Sequence, residues 1–381
     1  MPPRPSLLIN ASPAFSPDPS GVARYIINMI RALEKQLSPF AHRYHYQKWN
    51  HRAFPALDRE LRIHRGPSLV RFFRPFIRKV RQVSGYRLVP PFDLYWEPNH
   101  IFEPSIRARR RLLTVHDLST RRFPEWHPKK RLARFEADFL AAVHAADHII
   151  TVTSAVKKEL QDLEGVAPER ISVIPNGIDH GLFHPGTGHT PESLPGSVHP
   201  GNFILFVGTI EPRKNLTLLL DAHQSLPEPL QRKFPVVIAG GEGWQSDHLL
   251  QRVADNPFCI RAGFVRDDAL PELYRAASVL VYPSHYEGFG LPPLEAMACG
   301  CPVIASSIPA HREVLGEAAL FCDPADPKGL AESIGHLLGC PSLQNNYRER
   351  GLRQAAAFRW ERAAGELIEL FRKLHPVPAS S

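Results

Sequence analysis

The chain has 381 residues, which is long for one domain and comfortable for two. A hydrophobic content of 43% supplies sizeable cores and excludes global disorder. The net charge of +8 divides into +12 over residues 1–180 and −4 over residues 181–381, so the first half suggests an anionic partner (phospholipid, a phosphorylated substrate or nucleic acid), with an ordinary solvated basic surface as the alternative.

The cysteines and the apolar runs exclude several classes of protein. Five cysteines, all in the second half and without a Cys-x-x-Cys pair, indicate neither a disulfide framework nor a zinc knuckle. Reduced, buried thiols in a cytosolic protein fit this pattern best. No stretch approaches 18 apolar residues, so no membrane span is predicted. Because no His/Cys cluster has metal-ligand spacing and no Asp-x-Asp pair follows a strand, we expect metal-free chemistry.

Short apolar runs that end in turns, each followed by helical periodicity, repeat along the chain. This alternation predicts βαβ units and parallel sheets. Ser154 is the expected N-cap of one of the helices. The predicted strands lie at 7–10, 112–116, 148–153 and 171–174 in the first half, and at 203–207, 234–239, 259–260, 278–282 and 302–305 in the second.

A segment rich in Pro, Gly, Thr and His, residues 184–201, separates the two sets of strands. It is the predicted domain boundary. Residues 359–374 have the periodicity of a final amphipathic helix. We therefore expect domains at 1–183 and 184–358, followed by a C-terminal helical segment at 359–381.

In open α/β sheets, ligands bind beyond the carboxyl ends of the strands, so the polar residues at those ends are the candidates. After the first strand, Gly21 opens a helix and would let backbone approach a ligand closely, although an ordinary turn is the alternative. His116 and Asp117 follow another strand directly. A histidine there can bond a sugar hydroxyl or a phosphate and the aspartate can orient it, although a strand-end histidine is often structural.

In the second half, Arg213 and Lys214 follow a strand that ends at Gly208. Two adjacent cations beside a helix start can neutralise a diphosphate, and solvated surface cations are the alternative. Gly263 and Val265 follow a further strand, where backbone groups could bind the edge of a nucleobase.

The most informative segment runs from His285 to Ala305. It sets Glu287 and Glu295 eight residues apart around a glycine-bracketed turn that leads into an apolar helix. The start of a helix offers unpaired backbone N–H groups and a positive dipole end to a phosphate. The two carboxylates can accept hydrogen bonds from sugar hydroxyls. The pattern therefore favours a nucleotide-sugar ligand.

At these motifs the chain resembles the retaining glycosyltransferases of the GT-B fold, specifically family 4 (glycosyltransferase group 1) and its mannosyltransferase-like branch. The resemblance covers nearly the whole chain in order. It implies two Rossmann-like α/β domains whose parallel sheets face an interdomain cleft, with the acceptor on the first domain, the nucleotide-sugar on the second, and the last helix packed back on the first. The motifs that carry it lie at 20–25, 114–118, 151–154, 174–179, 206–215 and 287–296.

The resemblance implies catalytic roles for four residues. Arg213 and Lys214 would hold the donor diphosphate, Glu287 would bond the hydroxyls of the donor sugar, and His116 would contact that sugar near the reacting carbon. Many members also carry an arginine where this chain has Thr209, which places more of the charge on Arg213 and Lys214. The remaining donor-binding residues implied are Gly21, Asp117, Gly208, Gly263, Val265, Gly288, Phe289, Gly290, Leu291 and, for the ribose, Glu295.

The function implied is transfer of a hexose, most simply mannose from GDP-mannose, to a glycan or lipid-linked saccharide acceptor in surface polysaccharide or glycolipid synthesis, without metal or cofactor. UDP-glucose, other UDP-sugars and dTDP-rhamnose are alternative donors, and an epimerase is an alternative reaction. A non-catalytic basic binder of lipid or nucleic acid is the other alternative. No nucleic-acid motif with interleaved aromatic residues appears, so no nucleic-acid partner is expected.

Residues 69–83 place apolar side chains near one helical face and arginines and lysine mostly on the other. Such a helix can lie on an anionic bilayer, or it can be a core helix with a solvated basic face. The expected location is the cytoplasm, with peripheral contact with the inner face of the cell membrane through this segment.

Overall fold

The computed structural model describes residues 4–15, 21–37, 40–46, 49–51, 91–186, 198–244 and 246–375. Within these ranges, two β-sheets are each covered by helices. The amphipathic segment 69–83 and most of the predicted boundary at 184–201 lie outside the described residues, so the membrane helix and the domain limits stay predictions. Of the helices that are described, none has the length and the apolar character needed to cross a bilayer.

The first sheet has seven strands in the order β3-β2-β1-β4-β5-β6-β7. All neighbouring pairs are parallel except β2 and β3. Its central strands are buried along most of their length, as expected where helices cover both faces. The strands are β1 Ser6–Asn10, β2 Ala41–Tyr46, β3 Trp49–His51, β4 Phe92–Glu97, β5 Ala108–Val115, β6 His148–Thr151 and β7 Ile171–Val173.

The helices of this half are α1 Gly21–Glu34, α2 Ser119–Arg122, α3 Lys129–Ala145 and α4 Ser154–Glu164. The prediction that Ser154 caps α4 was wrong by one residue. Thr153 is the N-cap, and its side chain accepts a hydrogen bond from Val156 N. The N–H groups of Ser154 and Ala155 instead donate to the carboxylate of Glu313.

The second sheet has six parallel strands in the order β10-β9-β8-β11-β12-β13. These are β8 Ile204–Val207, β9 Val236–Ala239, β10 Cys259–Gly263, β11 Val279–Tyr282, β12 Val303–Ser306 and β13 Leu320–Cys322. The helices around it are α5 Leu216–Gln224, α6 Glu228–Lys233, α7 Asp247–Ala254, α8 Leu270–Ala276, α9 Leu291–Ala298, α10 Pro309–Leu315, α11 Pro327–Gly339 and α12 Pro341–Ala356.

The last helix, α13 Trp360–Leu374, packs against α1 rather than against the second sheet. Trp360, Leu367 and Phe371 share an apolar core with Met29 and with β1. The chain therefore returns to the first sheet after completing the second.

The loops at the carboxyl ends of the two sheets contact each other. Thr153, which follows β6, donates a hydrogen bond of 2.9 Å to the carbonyl oxygen of Gly288 beyond β11. The N–H of Leu118, beyond β5, donates to the hydroxyl of Tyr286 at 2.9 Å. The predicted sites at the ends of the strands are thus brought to one interface between the two halves.

Candidate active site

Glu287 is the anchor of a buried charged cluster. Its Oε1 accepts hydrogen bonds from Lys214 Nζ at 2.6 Å and Ser284 Oγ at 2.8 Å, and its Oε2 accepts one from Arg213 Nη1 at 2.7 Å. Lys214 Nζ also donates to the hydroxyl of Tyr282 at 2.6 Å. Every carboxylate oxygen of Glu287 is therefore held by at least one donor.

The two cations reach Glu287 because the short 3-10 helix Pro212–Lys214 follows directly on the turn after β8. The carbonyl oxygen of Arg213 accepts a hydrogen bond of 2.9 Å from the N–H of His285, which fixes this turn to the loop after β11. Arg213 also donates to Glu211 Oε1 from Nε and Nη2. The sequence motif thus positions one carboxylate, Glu211, that the prediction did not include.

The pKa values of Glu287, Lys214 and Arg213 reflect the ion pairs between them. Burial by itself would raise the pKa of Glu287, but Arg213 and Lys214 together hold it well below its usual range. Burial and the neighbouring Arg213 lower the pKa of Lys214, while Glu287 opposes that shift. For Arg213, burial lowers the pKa and the carboxylates of Glu287 and Glu211 more than offset it. We conclude that Glu287 is ionised and that its bonds to Arg213 and Lys214 are charge-assisted.

The start of α9 lies beside this cluster. Gly290, the N-cap of α9, has φ of 100°, and within the residues that the structure describes no side chain caps the helix. Because Pro292 and Pro293 have no N–H, the backbone donors at this end are those of Gly290 and Leu291. An uncapped helix start with its positive dipole end is a seat for an anion.

Glu295 lies one turn further along α9 and is only 2% exposed. Its Oε2 accepts a hydrogen bond of 3.1 Å from the hydroxyl of Tyr274. Its Oε1 forms an ion pair with Arg24, which comes from α1 in the other half of the molecule. Glu295 and Glu287 therefore have different bonding partners, although both belong to one sequence motif.

His116 lies on the opposite side of the interface. Its Nε2–H donates to the carbonyl oxygen of Pro98 at 2.9 Å, its backbone N–H donates to His100 Nε2 at 2.9 Å, and its ring lies 4.6 Å from that of Tyr25. Burial lowers its pKa to about 4, with His100 adding to the effect. The imidazole is thus neutral near pH 7 and contributes no positive charge to the site.

Asp117, next in the chain, accepts a hydrogen bond of 2.9 Å from the N–H of Ser119. Burial alone would raise its pKa, but Arg213 and His100 hold it below its usual range. Its negative charge contributes to raising the pKa of Arg213 across the interface. Asp117 is thus a carboxylate of the first half that interacts with Arg213 of the second.

The remaining predicted donor-binding positions are distributed around this cluster. Gly208 follows β8 directly and lies beside the side chain of Lys214, with φ of 151°, and Gly263 ends β10 with φ of 69°. Val265 is half-buried, and the side chain of Phe289 is buried against Phe358. At Gly21 a Cβ atom would meet no atom of the described residues within 4 Å, so the part of Gly21 in donor binding stays a prediction.

Two models of known families match the two halves of the chain. Residues 195–354 match "Glycosyl transferases group 1" and residues 19–182 match "Glycosyltransferase Family 4". The O-antigen chain mannosyltransferase B of Escherichia coli is 33% identical over 324 residues, which are 82% of this chain and 82% of that protein. The chain belongs to glycosyltransferase family 4. It is a glycosyltransferase enzyme.

Other similar proteins agree with this assignment. The serotype-specific mannosyltransferase WbdA of Escherichia coli is 33% identical over 66% of this chain and 31% of its own length. Sucrose-phosphate synthase from Thermosynechococcus elongatus superposes with a TM-score of 0.68 at 21% identity, covering 97% of this chain and 99% of that one. Anabaena HepE in complex with UDP and glucose gives a TM-score of 0.65 at 17% identity, covering 97% and 99%. The predicted GT-B fold is confirmed.

Within this family 4 glycosyltransferase, sequence reasoning missed several residues of the cluster. Glu211 was visible inside the motif around Arg213 but had no assigned partner. His311 had no signal at all, yet it is fully buried and close enough to Glu287 to affect its pKa. The carbonyl oxygen of Ser306 can only accept, so His311 Nδ1–H donates to it, and Nε2 is the unprotonated nitrogen of the neutral ring. Among the described residues, Nε2 has no hydrogen-bond partner. Burial lowers the pKa of His311 to about 4.

Gly288→Ala is expected to impair the enzyme by opening the interface. A Cβ atom at residue 288 would lie 1.8 Å from the carbonyl oxygen of His116. The backbone of Gly288 is outside the left-handed region, so the expected effect comes from this clash and not from backbone strain. Because the two halves can separate to relieve this clash, we expect turnover to fall about 100-fold and the radius of gyration measured by X-ray scattering to rise. Gly339→Ala, where a Cβ meets no atom of the described parts of the chain within 4 Å, is the matched control. A Gly288→Ala enzyme as active and as compact as the control would show that this contact does not matter.

Proposed function

We propose that this glycosyltransferase is a retaining mannosyltransferase that moves mannose from GDP-mannose to a glycan or lipid-linked saccharide in surface polysaccharide or glycolipid synthesis. Two of the similar proteins, O-antigen chain mannosyltransferase B and WbdA, are mannosyltransferases by name. The observation that carries the site assignment is the Arg213–Lys214–Glu287 cluster beside the uncapped start of α9.

In the proposed reaction the bond between the sugar and the diphosphate breaks while the leaving diphosphate gains charge. Lys214, Arg213 and the N–H groups of Gly290 and Leu291 would stabilise that charge more in the transition state than in the ground state. These donors are already fixed by the contacts to Glu287 and by the fold of α9, so little reorganisation is needed when charge develops. The anomeric carbon becomes oxocarbenium-like.

The acceptor hydroxyl would attack from the face that the diphosphate leaves, with an oxygen of the leaving phosphate taking its proton. Attack by Glu287 to form a covalent intermediate is the rival route. The bonds from Lys214, Ser284 and Arg213 reduce the nucleophilicity of both Glu287 oxygens. This favours the front-face route, with Glu287 orienting the cations and the hydroxyls of the donor sugar.

The acceptor would bind on the first half, opposite the donor. The ring of His116 contacts Tyr25 and donates to the carbonyl oxygen of Pro98, so its contribution to a donor sugar would come from the backbone and from the shape of the loop as well as from the ring. Contact between residues 69–83 and an anionic bilayer remains part of the proposal, because a lipid-linked acceptor would lie at such a surface.

The experiment that tests this function is a donor panel. We expect the purified protein to release nucleotide slowly from GDP-mannose in the presence of a chelator, and faster with a lipid-linked saccharide acceptor. UDP-glucose, UDP-N-acetylglucosamine and dTDP-rhamnose are the comparison donors. Release from a different donor alone would contradict the mannosyl assignment, and strict dependence on added Mg²⁺ would contradict the metal-independent mechanism.

A further inference from the structure

In the charged cluster, the nitrogens of both cations already donate hydrogen bonds within the protein. The two cations, Arg213 and Lys214, are already matched by the two carboxylates of Glu211 and Glu287, which hydrogen-bond them directly. Asp117 adds a further negative charge that reaches Arg213. A nucleotide-sugar diphosphate is a dianion. Its binding therefore calls for N–H donors beyond those of Arg213 and Lys214.

Arg24 brings further N–H donors to the interface between the two halves. It lies in the first turn of α1, its side chain is 20% exposed, and it crosses the interface to form an ion pair with Glu295. Its Nε lies 3.6 Å from Asp267, and its guanidinium lies 5.9 Å from the ring centre of Phe183. A guanidinium has five N–H donors, and these two carboxylates take only part of them.

The point at which Arg24 contacts α9, the side chain of Glu295, sets what its remaining donors can reach. Glu295 lies four residues after Leu291, which is about 6 Å along the helix axis at about 1.5 Å per residue. A donor whose ribose bonds Glu295 and whose diphosphate sits at the start of α9 must span this turn. The α-phosphate, which links the ribose to the rest of the diphosphate, would then lie beside the guanidinium held by Glu295.

We propose that Arg24 is a donor-binding residue that the first half contributes to the nucleotide site, where it contacts the α-phosphate while it remains bonded to Glu295. This inference rests on the proposed function, because it takes the ligand to be a nucleotide-sugar. It gives the interface between the halves a direct part in donor binding. Arginine suits the role, since its planar fork can bond a carboxylate and a phosphate at the same time.

The test compares three variants by calorimetric titration with intact GDP-mannose, GMP and guanosine. Arg24→Met removes the charge, Arg24→Lys keeps a charge opposite Glu295 but loses the fork, and Arg31→Met changes an exposed arginine two turns along the same helix. We expect Arg24→Met to weaken binding of GDP-mannose and GMP about tenfold or more, as for a lost charge-assisted hydrogen bond. Arg24→Lys should weaken both to a smaller extent. Guanosine, which has no phosphate, should bind all variants alike.

The other outcomes distinguish a failure of this inference from a failure of the proposed function. If Arg24 only joins the two halves, Arg24→Lys will bind the ligands as tightly as the wild type does, and Arg24→Met will weaken the binding of guanosine and of GMP equally. That result overturns this inference and leaves the proposed function standing. Equal binding of GDP-mannose by Arg24→Met and Arg31→Met overturns it as well. If the wild type binds no member of a wider panel of sugar nucleotides, the proposed function fails and this inference fails with it.

Discussion

Lys214→Met is expected to lower kcat/KM for sugar transfer by a factor of about 100 to 1,000, the usual effect of removing one donor that stabilises developing charge. Methionine keeps the length of the side chain but cannot donate to Glu287 or to a leaving diphosphate. Steady-state transfer with saturating acceptor measures the effect. Lys158→Met is the control, because Lys158 is an exposed lysine whose side chain is 76% accessible. Loss of activity by less than threefold in Lys214→Met would remove this lysine from the catalytic group.

Glu287→Gln is expected to reduce both stability and activity, because glutamine keeps the shape but leaves Arg213 and Lys214 without their shared counter-charge. Breaking a buried pair by removing one partner costs about 3 kcal/mol or more. We expect a loss of this order in the free energy of unfolding, measured by chemical denaturation near pH 7, and a fall in kcat/KM of at least about 100-fold. Glu242→Gln, which alters an exposed ion pair with Arg261, is the control.

The difference in unfolding free energy between the wild type and Glu287→Gln should change with pH in one direction. The pKa of Glu287 in the folded protein lies below its ordinary value of 4.5. Its ionised form is therefore favoured by folding, and the stability it contributes is fully present above the unfolded pKa and is lost as the pH falls through the folded pKa. The gap between wild type and Glu287→Gln should stay constant from pH 7 to about 5 and shrink only below about 4.5. A gap that closes between pH 7 and 6 would show that Glu287 is not held ionised by its partners.

The structure brings together strand-end residues that the sequence singled out, because parallel strands place their carboxyl ends at one edge of the sheet. Arg213, Lys214 and Glu287 belong to two separate loops after β8 and β11, and these strands are neighbours in the sheet. Apolar runs that locate the strands therefore also locate the residues that meet beyond them. The same reasoning placed His116 and Asp117 at the facing edge of the first sheet.

Contacts that depend on how the two halves meet could not be read in the same way. The ion pair of Arg24 with Glu295 joins residues from distant parts of the chain, and Arg24 has the same periodic position as any polar residue of an amphipathic helix. Glu313, which bonds the start of α4, is likewise an ordinary helix residue until the two halves are seen together. These partners follow from tertiary docking and have no local sequence signal.

Buried polar residues were the other class that the sequence left open. His311 follows a proline and an alanine in a segment with no catalytic motif, yet it packs beneath Gly290 and beside Tyr282. A lone histidine is predicted equally well on a surface or in a core. Its place behind the loop of Glu287 becomes apparent only from the packing of α10 against that loop.

The most direct test of the account is a crystal structure with GDP-mannose bound. We predict that the diphosphate lies at the start of α9, within hydrogen-bonding distance of the N–H groups of Gly290 and Leu291 and of Lys214 Nζ, with the ribose at Glu295. A diphosphate bound elsewhere in the molecule, with the Arg213–Lys214–Glu287 cluster unchanged and unoccupied, would contradict the assignment of this site.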